Sequence, residues 1–363
     1  MVLNMNLIFQ YGRAKARFAR GIIQLLGARH SNIIFLERGP VTSEIKFSRK
    51  ALYSDLQSVE SIHSRDTIKE GHIFAVRYLY TVENIVLDSV TGIVFSIDGK
   101  IVAESSPWPV GHLLLNSIPK PPRVKSLKNL SNSSTFLLTS NGFYHWLIED
   151  LPLFLYISNQ FRSHSILVHK NAPPYVRSLQ HVGNTPISVP RFVHLDTYTF
   201  VSRGADTEWA HPADIGILRT AFADLMQVQM SGKKIYIPRL NSSRSPRFER
   251  ELVELLKTQG WEILSTEGIA LDEQIKRLSS AETICGVHGA GLAGMVWLSP
   301  GSQVIELSPP NFVPCFSRLS EACGLQYRRI SFTELKTTSA NEIANEINNA
   351  LNPKSKNANN PIG

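Results

Sequence analysis

The sequence predicts an α/β protein whose C-terminal third is a doubly wound parallel sheet. Three observations carry that expectation. Short apolar runs and amphipathic runs alternate five times between Lys233 and Ile330. One strand-to-helix junction in that stretch is the glycine-rich turn GVHGAGL. Ahead of it, runs rich in Val, Ile, Phe and Tyr read as added N-terminal strands. Strands and helices alternating at this spacing form an open sheet with helices on its faces.

The elements follow in chain order. Within residues 1–32, Arg13, Lys15, Arg17, Arg20 and Arg29 precede the first acid, Glu37, and Phe18, Ile22, Leu25 and Leu26 recur at helical spacing. This basic amphipathic pattern fits peripheral contact with an anionic membrane, and equally a helix packed on its own domain with a solvated basic face. Residues 33–205 read as an N-terminal domain. In it IFAVRYLYTV, NIVLDSV and GIVFSIDGKIVAES are strand-like, with Asp98-Gly99 as a hairpin turn. A Pro- and Ser-rich connection runs from Ser105 to Ser134. Tyr144 to Ser158 reads as a helix, SILVHK as a strand, PPYVRSLQHV as a helix and RFVHLDTYTF as a strand. A helix from Pro212 to Met230 makes 206–231 a hinge.

Residues 232–335 are the parallel-sheet domain. KKIYIP, WEIL, ETICGV, SQVIEL and LQYRRI are its strands. Ser245-Pro246 fits an N-cap with proline at the first helical position, opening a helix through Leu256. Leu271–Ser280, GLAGMVWL and Pro314–Ala322 supply the other helices. Residues 336–363 are expected to be a helix followed by a disordered Asn- and Lys-rich tail.

Bulk properties set the bounds. A chain of 363 residues suggests two domains, and 43% hydrophobic with 19% charged residues is the balance of a globular protein. No apolar run reaches the roughly 18 residues of a membrane span. The opening MVLNMNLIFQYGRAKARF is not read as a secretory signal, since its charges follow its apolar part. Cys285, Cys315 and Cys323 show no CxxC spacing, which argues against a disulfide framework and a zinc site. A cytoplasmic protein, peripheral on the inner face of the cell membrane, is expected. The net charge of +8 favours anionic partners. No interleaving of aromatic and basic residues points to nucleic acid.

Two constellations carry chemistry. In parallel sheets, ligands bind where strands end and helices begin. Gly286 to Leu292 forms such a junction, where glycines let backbone N–H groups approach a diphosphate at a helix N-terminus. His288 in the turn either donates to a phosphate or leaving group or packs to fix the loop. Glu306, at the end of VIEL, is either a ribose-binding carboxylate or an exposed strand-end acid. Arg239, Arg244 and Arg247 follow the strand KKIYIP, and Arg239 is the best placed to meet phosphate oxygens. The second constellation is NGFYHWLIEDLP. On a helix, His145 and Glu149 share a face, while Asp150 lies about 100° around it. Either acid is a candidate general base, and either fits a first-turn acid that stabilises the helix dipole.

Together these segments resemble glycosyltransferase family 61, which includes bacterial capsular-polysaccharide-type transferases and eukaryotic O-linked N-acetylglucosaminyl- and xylosyltransferases. YHWLIEDLP, KKIYIPR with its arginines, and the run from Asp272 through VIEL carry the resemblance. It implies a GT-B-like fold: two Rossmann-like domains facing a cleft, with the donor in the C-terminal one. It also implies an inverting transfer from a nucleotide sugar, commonly UDP-linked, to a glycan or lipid-linked acceptor in surface polysaccharide biosynthesis, with no cofactor and no metal. The chain has no DxD motif; Asp206-Thr-Glu208 comes nearest. Mapped onto this sequence, the resemblance gives Arg239 and Arg244 to the diphosphate, with support from the backbone of His288, Gly289, Ala290, Gly291 and Leu292. It gives Glu306 to the ribose, and Glu149 or Asp150 to the proton, with His145 beside them. Closure of the cleft would bring base and donor together. Two other readings stand beside this one: an NAD-dependent oxidoreductase, and an inert scaffold of a polysaccharide assembly complex.

Overall fold

The computed structural model describes residues 33–34, 45–51, 78–106, 119–130, 135–138, 142–160, 165–177, 186–201, 210–227, 232–240, 244–310, 313–332 and 339–351. The basic segment 1–32, Asp206 to Glu208 and the tail from Asn352 lie outside them. The protein is a mixed α/β chain that divides into two compact units. The first takes residues up to 140, apart from 65–72, together with 158–207; the second takes 65–72, 141–157 and 208 onward.

The first unit holds a ten-stranded sheet. Its strands are β1 (Ile33–Ile34), β2 (Phe47–Ala51), β3 (Tyr78–Asp88), β4 (Val94–Ser96), β5 (Ile101–Val102), β6 (Asn129–Leu130), β7 (Thr135–Leu138), β8 (Ser165–His169), β9 (Ile187–Val189) and β10 (Phe192–Val201). The main order is β1-β5-β4-β3-β10-β7-β8-β9. The sheet is mixed: β2, β4 and β10 lie antiparallel to β3, while β7, β8 and β9 run parallel. Two strand-like runs of the sequence are thus a single strand, β3, which passes through Asn84 at φ 52°. The Asp98-Gly99 hairpin forms as expected, with Gly99 at φ 85° between β4 and β5. Tyr80, Val82, Ile85, Leu195 and Phe200 pack in its core.

The second unit holds the expected parallel sheet. Its strands are β11 (Lys233–Ile237), β12 (Glu262–Ile263), β13 (Ala281–Val287), β14 (Gln303–Ser308) and β15 (Gln326–Ser331), in the order β12-β11-β13-β14-β15. Every pairing is parallel. Alternation along the strands sorts side chains onto two faces. Tyr236, Cys285, Val287, Ile305 and Leu307 pack in one cluster with residues of α4 (Glu249–Thr258) and α7 (Ala340–Leu351). Ile237, Gly286 and Glu306 point to the opposite face. The remaining helices are α1 (Phe143–His145, Trp146–Asp150 and Leu151–Gln160, in continuous sequence), α2 (Pro174–Arg177), α3 (Pro212–Ala221), α5 (Leu271–Ser279) and α6 (Cys315–Ala322).

Four expectations change. The helix expected from Pro212 to Met230 ends at Ala221, where Phe222 leaves helical backbone and a 3₁₀ turn follows. Residues Ala290–Trp297 form a 3₁₀ helix rather than an α-helix. Helix α4 starts at Glu249, not after Ser245, because the Ser245 hydroxyl donates to the Glu249 carboxylate (2.7 Å) instead of capping the helix. The part of α1 that carries His145 and Glu149 groups with the second unit, whereas the sequence reading set it in the domain of residues 33–205. The reason is aromatic packing: Tyr144 meets Phe316 of α6 edge-on at 5.6 Å.

Candidate active site

The strand order 2-1-3-4-5 fixes where a ligand would bind. In doubly wound sheets the crevice opens at the carboxyl ends of the two strands where the winding reverses. Here these are β11 and β13. Arg239 leaves β11 at that end, and His288 and Gly289 leave β13.

The structure joins the two. The guanidinium of Arg239 donates through Nη1 to the carbonyl of His288. The Arg239 N–H donates to Glu249 Oε1 (2.7 Å). Burial, followed by the neighbouring charge of Arg244, lowers the Arg239 pKa from its ordinary value. Arg244 and Arg247 stay exposed.

The glycines of the turn answer to their neighbours. A Cβ on Gly286 would lie 2.8 Å from the carbonyl oxygen of Ile237, and one on Gly289 would lie 3.0 Å from Nη1 of Arg239. A Cβ on Gly291 would meet Ile237 Cγ2 and Thr266 Oγ1, each at 3.0 Å. The turn therefore lets β11, the Arg239 side chain and the 3₁₀ helix close on one another. Not all of its backbone faces a ligand. The His288 N–H donates to Leu307 O (2.7 Å), and the Leu292 N–H donates to Gly289 O (3.0 Å). Leu292 is a core residue. A 3₁₀ helix beginning at Ala290 leaves the N–H groups of its first residues, Ala290 and Gly291, without a partner inside the helix.

Glu306 is not the exposed strand-end acid that the sequence allows. It is 0% exposed, and both of its oxygens are engaged. One pairs with Nδ1 of His288, and the other accepts from Tyr327 Oη (2.5 Å). In this conformation both oxygens face protein partners, and neither is exposed. Burial and the Glu306 charge push the Tyr327 phenol well above its ordinary range, so it remains a donor.

The second constellation sits in an unusual turn. Trp146–Asp150 is π-helical, and such single turns recur at functional sites. The sequence supplies the cause. Pro152, two residues on, has no N–H for the carbonyl of Ile148, and its ring crowds that carbonyl. His145 Nδ1 and Glu149 Oε1 stand 3.0 Å apart, and the Glu149 side chain is 16% exposed. Asp150 is 2% exposed. The ring of Phe316 links the two constellations: Tyr144 meets it edge-on, and His288 does so at 5.2 Å.

Residues 143–305 match the family model described as Glycosyltransferase 61. Over this span, which is under half of the 363 residues, the chain is similar to glycosyltransferase family 61. It is an enzyme of glycosyl transfer. The match opens on the first residue of α1 and ends one residue before Glu306, so it spans every expected site residue of the glycosyltransferase except that one. No curated protein matches the chain.

Among the described residues, no helix is long and apolar enough to cross a membrane, and no three His, Cys, Asp or Glu side chains gather as metal ligands. Glu249, Tyr327, Phe316 and Pro152 escaped the sequence reading. Buried Glu249 accepts from Tyr236 Oη (3.2 Å), the Arg239 N–H and Ser245 Oγ, and so pins the loop that carries Arg239. Its one sequence signal is a serine four residues ahead, which fits a helix cap equally well.

Proposed function

We propose that this glycosyltransferase moves a sugar from a nucleotide-sugar donor, UDP-linked in the first instance, to a hydroxyl of a glycan or lipid-linked acceptor. Transfer inverts the anomeric carbon, needs no metal and serves surface polysaccharide assembly at the cytoplasmic face of the membrane. A GT-B-like pair of domains, the second holding the donor, is part of this reading; the division of the chain into two units supports it.

One observation carries the donor site: Arg239 meets the HGAG turn at the switch point of a parallel sheet. Arg239 and Arg244 present planar cations to the diphosphate. The N–H groups of Ala290 and Gly291 add donors beside the turn. On the acceptor side, Glu149 is the base and His145 orients it. The acceptor oxygen bonds to the anomeric carbon as the bond from that carbon to the phosphate oxygen breaks. The hydroxyl proton passes to Glu149, and the electron pair leaves on the diphosphate, where Arg239 stabilises it. Asp150, with its lower exposure, ranks behind Glu149 for this role.

Calorimetric titration with UDP, GDP, CMP and NADH, with and without manganese, tests the reading. One nucleoside diphosphate should bind regardless of metal, and Arg239→Ala should weaken it about tenfold. Tight NADH binding would move the protein to the dinucleotide oxidoreductases. Binding of none of the four would overturn the donor site.

A further inference from the structure

The pairing of Glu306 with His288 assigns both residues a more specific part. An ionised carboxylate only accepts hydrogen bonds, so the imidazole nitrogen facing it carries the proton. That nitrogen is Nδ1 of His288. The residue is held from every side. Its N–H donates to Leu307 O, its carbonyl accepts from Arg239, and its ring lies edge-on to Phe316. The His288 side chain keeps 21% exposure. It stands at the carboxyl end of β13, beside Arg239.

We propose that Glu306 is the positioning residue of His288 and not a ligand of the donor ribose. The chain Tyr327–Glu306–His288 holds the imidazole in place beside the donor diphosphate. This inference rests on the donor-site reading above. The polar groups around the ring agree with it: Glu306 from β14, Arg239 from the loop after β11, and Tyr327 behind Glu306 from β15. The buried carboxylate is a counter-charge for a ring that shares an anion with Arg239. Tyr327 satisfies the second carboxylate oxygen, which the protein interior would otherwise leave without a partner.

The two roles separate on a ligand without a ribose. Wild type, Glu306→Gln, His288→Gln and the double variant are titrated with UDP and with inorganic pyrophosphate. A glutamine has one acceptor oxygen in place of two, so it cannot serve both His288 and Tyr327. Glu306→Gln should weaken UDP and pyrophosphate by the same factor, about tenfold, with no further loss when His288 is already glutamine. Loss of UDP affinity alone would return Glu306 to the ribose and overturn the proposal, as would full additivity of the two substitutions. Should Glu306→Gln fail to fold, Tyr327→Phe leaves the carboxylate in place and carries the same comparison with a smaller expected loss. Imidazole ¹⁵N spectra give a second readout. The wild-type His288 ring should be protonated at Nδ1, and a ring protonated at Nε2 alone would overturn the proposal. A wild type that binds neither ligand refutes the donor site itself. Binding that Glu306→Gln leaves unchanged refutes only the positioning role.

Discussion

Two glycines three residues apart in one turn should respond to the same methyl group in opposite ways. In Gly286→Ala the new Cβ would stand 2.8 Å from the carbonyl oxygen of Ile237, 3.2 Å from Leu292 Cδ2 and 3.3 Å from Ile237 Cβ. The first contact is with backbone inside the β11–β13 pairing, where Ile237 lies opposite Gly286. Backbone at the middle of a sheet yields little. Overpacking of this kind costs about 1–3 kcal/mol, which for a unit of this size lowers Tm by roughly 2–12 °C. In Gly289→Ala the Cβ would meet only the Arg239 side chain, at 3.0 Å from Nη1, 3.2 Å from Cζ and 3.4 Å from Cδ. The backbone there is extended (φ 173°), which any residue adopts.

A flexible side chain swings aside cheaply, so Gly289→Ala should keep stability within about 0.5 kcal/mol. What it loses is the bond from Arg239 to the His288 carbonyl, and with it the aim of the guanidinium. Nucleoside diphosphate affinity should fall about tenfold. Differential scanning calorimetry and titration with UDP on both variants provide the assay. Equal loss of Tm in the two, or full UDP affinity in Gly289→Ala, would refute the reasoning that this turn is shaped around Arg239.

Three further outcomes follow from the same contacts. Pro152→Ala restores an N–H for the Ile148 carbonyl and removes the ring that crowds it, so the turn Trp146–Asp150 should tighten to an α-helix. Tm should hold or rise while turnover falls as Glu149 is re-aimed, and unchanged turnover would show that the widened turn has no part in the site. Glu249→Gln keeps its shape but loses charge-assisted acceptance from the Arg239 N–H and Ser245. It should lose about 1–3 kcal/mol in denaturant unfolding and also weaken UDP binding, since the loop of Arg239 slackens. The Tyr236 phenol, buried next to the Glu249 carboxylate, is held well above its ordinary pKa, burial being the larger cause. Its contribution is present below about pH 10 and is lost above it, as the unfolded chain sheds the proton first, at about 1.4 kcal/mol per pH unit. Tyr236→Phe should make the fall of stability between pH 10 and 11 shallower, and an identical slope would reject this account.

Much of the second unit was legible because its strands are short apolar runs separated by amphipathic helices. β11, β13, β14, β15, α5 and α6 lie where the runs placed them. Strand order was not legible, since nothing along KKIYIP or ETICGV says which neighbour each will choose. The position of Arg239 next to His288 depends on that order. The glycines of GVHGAGL were visible, but the reason for them was not: their neighbours, Ile237 and Arg239, lie some fifty residues away in sequence. Glu306 could not be resolved for the same reason. A carboxylate near a strand end is exposed or buried according to what the next strand brings, and here β15 brings Tyr327. The π turn was signalled by Pro152, yet helical spacing alone reads through a proline.

The two histidine–carboxylate pairs look alike in sequence and differ in which member reaches solvent. Glu149 keeps an exposed edge, so it can meet a hydroxyl itself, with His145 a turn away on the same helix. Glu306 has no exposed edge, and in the proposed role it would act only through the ring in front of it. On the proposed reading, burial divides the labour: one carboxylate would take a proton, while the other would hold an imidazole in place. Both pairs belong to the second unit, and Phe316 stands between Tyr144 and His288. The spacing of the proposed base and the proposed leaving-group site would then be set by aromatic packing within one compact unit. The closure expected from the sequence would then be left to deliver the acceptor and exclude water, with the base already in place.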